Sequence, residues 1–146
     1  MKLSTTRVAE KWVFPSKAFI TYRRAESLDK DIAETMASKY LSDVLVGGPL
    51  MDDFGFSTPT LSAVIKEAAK RLDDLKPNVN HFFAVALAER LIDDVQGFEV
   101  DGEPAVKSRK FFSTLLKDPA TQDDWLVRSQ LSLFREISAG NGSSAE

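Results

Sequence analysis

Cysteine is absent from the 146 residues and histidine occurs once. The first absence excludes disulfides, thiol nucleophiles and cysteine-ligated zinc or iron–sulfur centres. It is consistent with a reducing compartment. A single histidine leaves no His-based zinc spacing. No run approaches the roughly 20 apolar residues that a bilayer span needs. The longest, His81 to Ala88, stops at Glu89-Arg90. The basic start, Met1 to Arg7, is not followed by the apolar segment of a secretory signal, so a cytoplasmic location is expected. Neither sign of charge dominates: 19 Lys+Arg face 22 Asp+Glu, a net charge of −3, which argues against a general nucleic-acid binder. Calcium loops, phosphate-binding loops and serine elbows are missing too, and Gly47-Gly48 lacks the Lys-Ser/Thr of a phosphate cradle.

What is present suits a folded chain, with 43% hydrophobic and 28% charged residues in a length that makes one domain. Residues 1–25 read as an extended basic arm, with Lys2, Arg7, Lys11, Lys17, Arg23 and Arg24 against Glu10 alone. Within it Ala18, Ile20 and Tyr22 alternate onto one face of a short strand. A helix is predicted from Ser27, taken as its N-cap, with Asp29 and Asp31 in the first turns. Leu28, Ile32, Met36, Tyr40 and Val44 recur every four residues until Gly47-Gly48-Pro49 ends the pattern. Residues 46–57 form a loop.

Thr58-Pro59 opens a second predicted helix, apolar at Leu61, Val64, Ile65, Ala68, Leu72 and Leu75. A third runs from Pro77-Asn78 to about Val95. It is apolar on more than one stripe, as the central helix of a bundle is. Asp101-Gly102 marks a hairpin near residues 98–106, because both turn positions need positive φ. A short helix at 108–116 turns Phe111, Phe112, Leu115 and Leu116 inward. Asp118-Pro119 starts the last one, with Trp125, Leu126, Val127, Leu131, Phe134 and Ile137. The expected fold is mainly α: a bundle of four to five helices with an N-terminal strand or arm and a small β-hairpin. Residues 1–138 form a single domain and residues 139–146 a flexible polar tail.

Chemistry has few footholds. His81 lies beside Phe82 on the apolar third helix without a nucleophile motif, so packing or capping is its expected role. The pairs Asp52-Asp53, Asp73-Asp74, Asp93-Asp94 and Asp123-Asp124 point about 100° apart on a helix, so no pair grips one ion alone. A recognition helix for DNA would need polar side chains where the third helix offers Phe, Ala and Leu. Apolar residues outside the helices remain: Phe54 and Phe56 in the loop, Phe98 and Val100 in the hairpin, Trp12, Val13 and Phe14 in the arm. Such aromatics mark a protein-binding surface, and Phe54, Phe56, Phe98 and Val100 are its candidate residues. No catalytic residue, metal or cofactor is expected. Homo-oligomers stay open, with no heptad seam visible.

The run Leu91-Ile92-Asp93-Asp94-Val95-Gln96-Gly97-Phe98, then Val100-Asp101-Gly102-Glu103-Pro104, then Phe111 to Pro119, resembles small tail assembly chaperones of long-tailed bacteriophages. In that group a helix ends in a W/V-x-G step, and a DG-x-P hairpin, a leucine-paired short helix and a final amphipathic helix follow. Here the step is Gln96-Gly97-Phe98, without the tryptophan common there. Lys17 to Arg24 is similar to the strand such proteins place before their first helix. The resemblance implies an α-rich, non-enzymatic helper of virion assembly that binds the tape measure protein and tail tube subunits, with no catalytic residues. In many such phages a ribosomal frameshift adds a C-terminal extension, and the Gly-Asn-Gly-Ser-Ser tail suits a linker of that kind. Other readings are a virion connector or an inhibitor of a host protein. A small DNA-binding regulator comes next, and last an enzyme using His81 or converged aspartates.

Overall fold

The computed structural model describes residues 9–55 and 79–133. The second predicted helix, Phe56, Phe134, Ile137 and the C-terminal tail lie outside them. In the basic N-terminal segment the chain forms two antiparallel strands, β1 (Glu10–Val13) and β2 (Phe19–Tyr22), with Trp12 opposite Ile20. Pro15, Ser16 and Lys17 make the connection. Lys17 N–H donates to Phe14 O at 2.9 Å, and Lys17 itself sits at φ 73°. That is the three-residue hairpin loop in which a type I turn, with proline second, is followed by a left-handed residue.

Helix α1 (Ser27–Leu45) follows, then a 3-10 turn (Pro49–Met51). Helix α2 (Val79–Leu91) passes without a loop into β3 (Ile92–Gln96), which pairs antiparallel with β2. The hairpin β4 (Glu99–Val100) and β5 (Glu103–Pro104), α3 (Arg109–Leu115) and α4 (Pro119–Ser129) complete the order. The sheet, ordered β1-β2-β3, turns Trp12, Ile20 and Tyr22 into one core with Phe82, Leu87, Leu91, Phe112 and Trp125. Helix α2 is central, buried on several sides at Phe82, Val85, Ala86, Leu87 and Ala88, and packs on α1, α3 and α4.

Local signals explain much of this. Ser108 Oγ accepts from Phe111 N–H at 3.1 Å and Asp118 Oδ2 from Thr121 N–H at 3.0 Å, so both residues cap as their types dictate. Asp101 and Gly102 both take positive φ, 53° and 82°, at the hairpin turn. Gly97 has φ 80°, and a Cβ there would meet Ala18 Cα at 3.1 Å, so β3 can turn into the hairpin close against β2 only with glycine.

Several expectations fail. The described residues form a mixed α/β domain with two small antiparallel sheets, not a helical bundle. The segment read as an extended basic arm supplies two of the main sheet's three strands. The third predicted helix stops at Leu91 because Ile92 to Gln96 finds β2 as a partner. Tyr22 pairs with Ile92 but Thr21 with Asp94, and the extra residue, Asp93, shifts the inward position from 94 to 95. Leu91, Ile92 and Val95 thereby acquire helix-like spacing inside a helix-to-strand junction. At the start of α1 the N-cap is Glu26, not Ser27: Asp29 reaches back to accept from Glu26 N–H at 2.8 Å. Leu28, expected inward, is 63% exposed while Asp29 is buried.

Candidate functional site

Asp29, on the first turn of α1, is 1% exposed. Arg23, at the end of β2, donates from Nη1 to Oδ2 at 2.7 Å and from Nη2 to Oδ1 at 2.9 Å. Arg90, in the last turn of α2, donates from Nε to Oδ1 at 2.5 Å. Burial by itself raises this carboxyl's pKa. Hydrogen bonds from Arg23, Glu26 N–H and Arg90 outweigh burial and hold it far below the usual carboxylate range. About three turns along α1 from Asp29, Tyr40 Oη donates to Glu89 at 2.7 Å, and Arg109 Nε donates to the same carboxylate at 3.1 Å. The Arg109 guanidinium lies 4.6 Å from the centre of the Tyr40 ring. Burial, and then Glu89, pushes the Tyr40 hydroxyl up to about 12.

Two clefts flank the seam between α1 and α2. One, of about 420 Å³, is lined by Arg23, Arg90, Arg109, Glu89 and Tyr40 over Ile32, Met36 and Ala86. The other, of about 370 Å³, has an apolar wall of Ala37, Leu41, Phe82 and Phe83 and exposed Glu34, Ser38 and Asn80 at its rim. At 100° per residue, the stripe of positions 34, 37, 38 and 41 faces away from positions 32 and 36. The clefts therefore open on opposite sides of the same helix.

Among the described residues, the candidates Phe54, Phe98 and Val100 do not form one surface. Phe54 is buried, its ring centre 5.5 Å from Tyr40, 4.7 Å from Phe82 and 6.0 Å from His81. Polar substitution there would disturb the core, not a docking face. Phe98 is half-buried between Phe14 (5.1 Å) and Phe111 (5.3 Å). Val100, at the hairpin, is 46% exposed and keeps its place on the surface. Trp12 and Phe14 join the same aromatic chain as Phe98. Each ring finds a partner distant in sequence, which its loop or arm setting does not disclose.

No protein-family model, curated protein or solved structure matches this chain. Among the described residues no three His, Asp or Glu side chains converge as a metal site, and no helix is long and apolar enough to cross a membrane. In the sequence Arg23 stands out only for its charge, Tyr40 for its helical spacing and Arg90 for ending an apolar run, while Arg109 and Leu41 carry no signal. The visible sign of this region is the break in the apolar run at Glu89-Arg90.

His81 Nε2 lies 2.9 Å from Ser113 Oγ, and Gln122 Nε2 lies 3.3 Å from His81 Nδ1. A serine this close to an imidazole has the spacing of a nucleophile and its base. Here, however, both residues are buried and the imidazole meets Phe54 and Phe82 edge-on, so the pair serves as packed polar core. Burial lowers the His81 pKa below its ordinary 6.5. On acidification the unfolded chain takes up the proton first, so stability is full above about pH 6.5 and falls below it toward the folded value. Urea midpoints measured at about pH 7.5 and about pH 5.5 should differ, and His81→Gln should remove the difference. An equal drop in that variant would assign the pH dependence elsewhere.

Proposed function

We propose that this protein is a non-enzymatic tail assembly chaperone of a long-tailed bacteriophage, which binds the tape measure protein and tail tube subunits during assembly. The observation that carries the reading is the apolar cleft beside α1. Its wall of Ala37, Leu41, Phe82 and Phe83 under a polar rim suits the apolar face of an amphipathic helix. The likeness of residues 91–119 to those chaperones supplies the kind of helix, the long helical tape measure. Within that stretch Gly97, Asp101 and Gly102 hold positive-φ positions on which the hairpin depends, although the Gln96-Gly97-Phe98 step lacks the tryptophan common in that group. Exposed Val100 offers a further contact.

The test is co-purification of the tagged protein from cells producing it in its native genetic context, with partners identified by mass spectrometry. A long helical tape measure protein or a tube subunit should be recovered. Leu41→Glu should weaken capture about tenfold or more with far-ultraviolet circular dichroism unchanged, because it places a charge in the cleft wall. Full capture by that variant would move the contact elsewhere. Recovery of a single host protein instead would sink the chaperone reading.

A further inference from the structure

We infer that the outer edge of β1 pairs with the same edge of a second copy of this chain, joining two sheets antiparallel about a two-fold axis at Trp12. The backbone of Phe14 turns toward β2: its N–H donates to Ala18 O at 2.8 Å and its O accepts from Lys17 N–H at 2.9 Å. Strand groups alternate in direction, so Glu10 and Trp12 also face β2, opposite Tyr22 and Ile20. Lys11 and Val13 therefore turn their N–H and C=O groups outward. β1 is the last strand on its side of the sheet, and those outward groups have no partner among the described residues.

The opposite edge is treated differently. On β3, Asp94 Oδ1 accepts from Val95 N–H at 2.9 Å and Lys107 Nζ donates to Asp93 O at 3.0 Å, so side chains close that edge to a further strand. A lysine can guard an edge in the same way, but the Lys11 ammonium lies 4.1 Å from the centre of the Phe19 ring, over the face of the sheet and not across its edge. Val13, on that same face, is 57% exposed. The pattern of β1 answers itself. With Trp12 opposite the partner's Trp12, Lys11 meets the partner's Val13 and Val13 meets the partner's Lys11, so every outward donor finds an acceptor. The neighbouring register would set Lys11 against Lys11 and is disfavoured. Trp125 stacks on Trp12, so α4 lies against the edge strand and comes beside its own copy. Arg128, 5.7 Å from the Trp12 ring centre, pairs with Asp124 at 2.9 Å, so this helix brings both signs of charge to the contact. Such self-complementarity is what a two-fold contact requires. The inference does not rest on the chaperone reading.

Sedimentation equilibrium of the full chain, followed up to about 1 mM, tests it, and a monomer–dimer equilibrium is expected. Val13→Pro removes an outward N–H that β2 does not use, which edge strands tolerate. It should weaken dimerisation about tenfold or more, with the near-ultraviolet circular dichroism of the tryptophans unchanged. Charge at the exposed position 13 reads the register. Val13→Glu faces the partner's Lys11 and Val13→Lys repels it, so the glutamate variant should dimerise about tenfold more tightly than the lysine variant. Adding Lys11→Glu to Val13→Lys should restore the dimer. A chain that stays monomeric to that concentration, dimers indifferent to Val13→Pro, or equal dimerisation of the two charge variants would overturn the proposal. So would a monomer whose Lys11 and Val13 amides gain hydrogen-exchange protection from an added extended peptide, since that would give the edge to a foreign strand.

Discussion

Trp12→Ala should lower the unfolding free energy by about 3–5 kcal/mol, the range for emptying a large aromatic site in a core. The residue lies in a segment whose sequence reads as a loose arm, yet it is 3% exposed. Its ring stacks on Trp125 with centres 5.7 Å apart and planes 10° from parallel. Trp125 is held in turn by its Nε1–H, which donates to Ala84 O at 3.0 Å, and by the edge-on ring of Tyr22. One stack thus fastens the N-terminal sheet to α2 and α4. Total stability of small domains runs to about 5–15 kcal/mol, so the loss is a large share of it. Urea unfolding at neutral pH measures it. A shift below about 1 kcal/mol would mean that β1 is not packed as described. A double-mutant cycle with Trp125→Ala should return a coupling of about 0.5–1.5 kcal/mol beyond area burial.

Asp29→Asn should cost about 3 kcal/mol, the low end for breaking a buried ion pair, because Arg23 and Arg90 stay partly solvated and are left facing a neutral amide. Its pH signature is distinct from that of His81. The folded carboxyl titrates below its ordinary 3.8, so its contribution is fully present above that value and is lost as pH falls through it toward the folded pKa. Wild-type stability should therefore drop steeply below about pH 4, and Asp29→Asn should flatten that limb. An unchanged acid limb in the variant would show that the two arginines do not depend on this carboxylate. Arg90→Gln should cost less, since Arg23 still neutralises the charge.

The contrast between these residues marks how much of the molecule is legible locally. Val44 and Tyr40 take the buried face that four-residue spacing foretells, because a helix surface is a property of neighbouring residues. Ser108, Asp118-Pro119 and Asp101-Gly102 act where their own backbone conformations demand, and alternation alone turns Ala18, Ile20 and Tyr22 inward. The helix-to-strand switch at Leu91–Ile92 is not local. It depends on β2, some 70 positions earlier in the chain, and the bulge at Asp93 erases the period-two pattern that would announce a strand. The site is less legible still. Arg23, Asp29, Arg90 and Arg109 form no spaced motif, and they meet only because α1 and α2 pack side by side with β2 and α3 at their ends.

By itself, the sequence determined the absence of cysteine chemistry, the first helix, the caps at Ser108 and Asp118, the turn at Asp101-Gly102, and one face of β2, since each is set by covalent inventory or by residues within a turn or two of one another. Tertiary structure alone decided that Glu10–Val13 and Phe19–Tyr22 of the basic arm are strands of a sheet, that Phe54 and Trp12 are core rather than surface, and that three arginines share one cleft. Burial and charge pairing belong to contacts between distant segments, and only the folded chain brings those segments together.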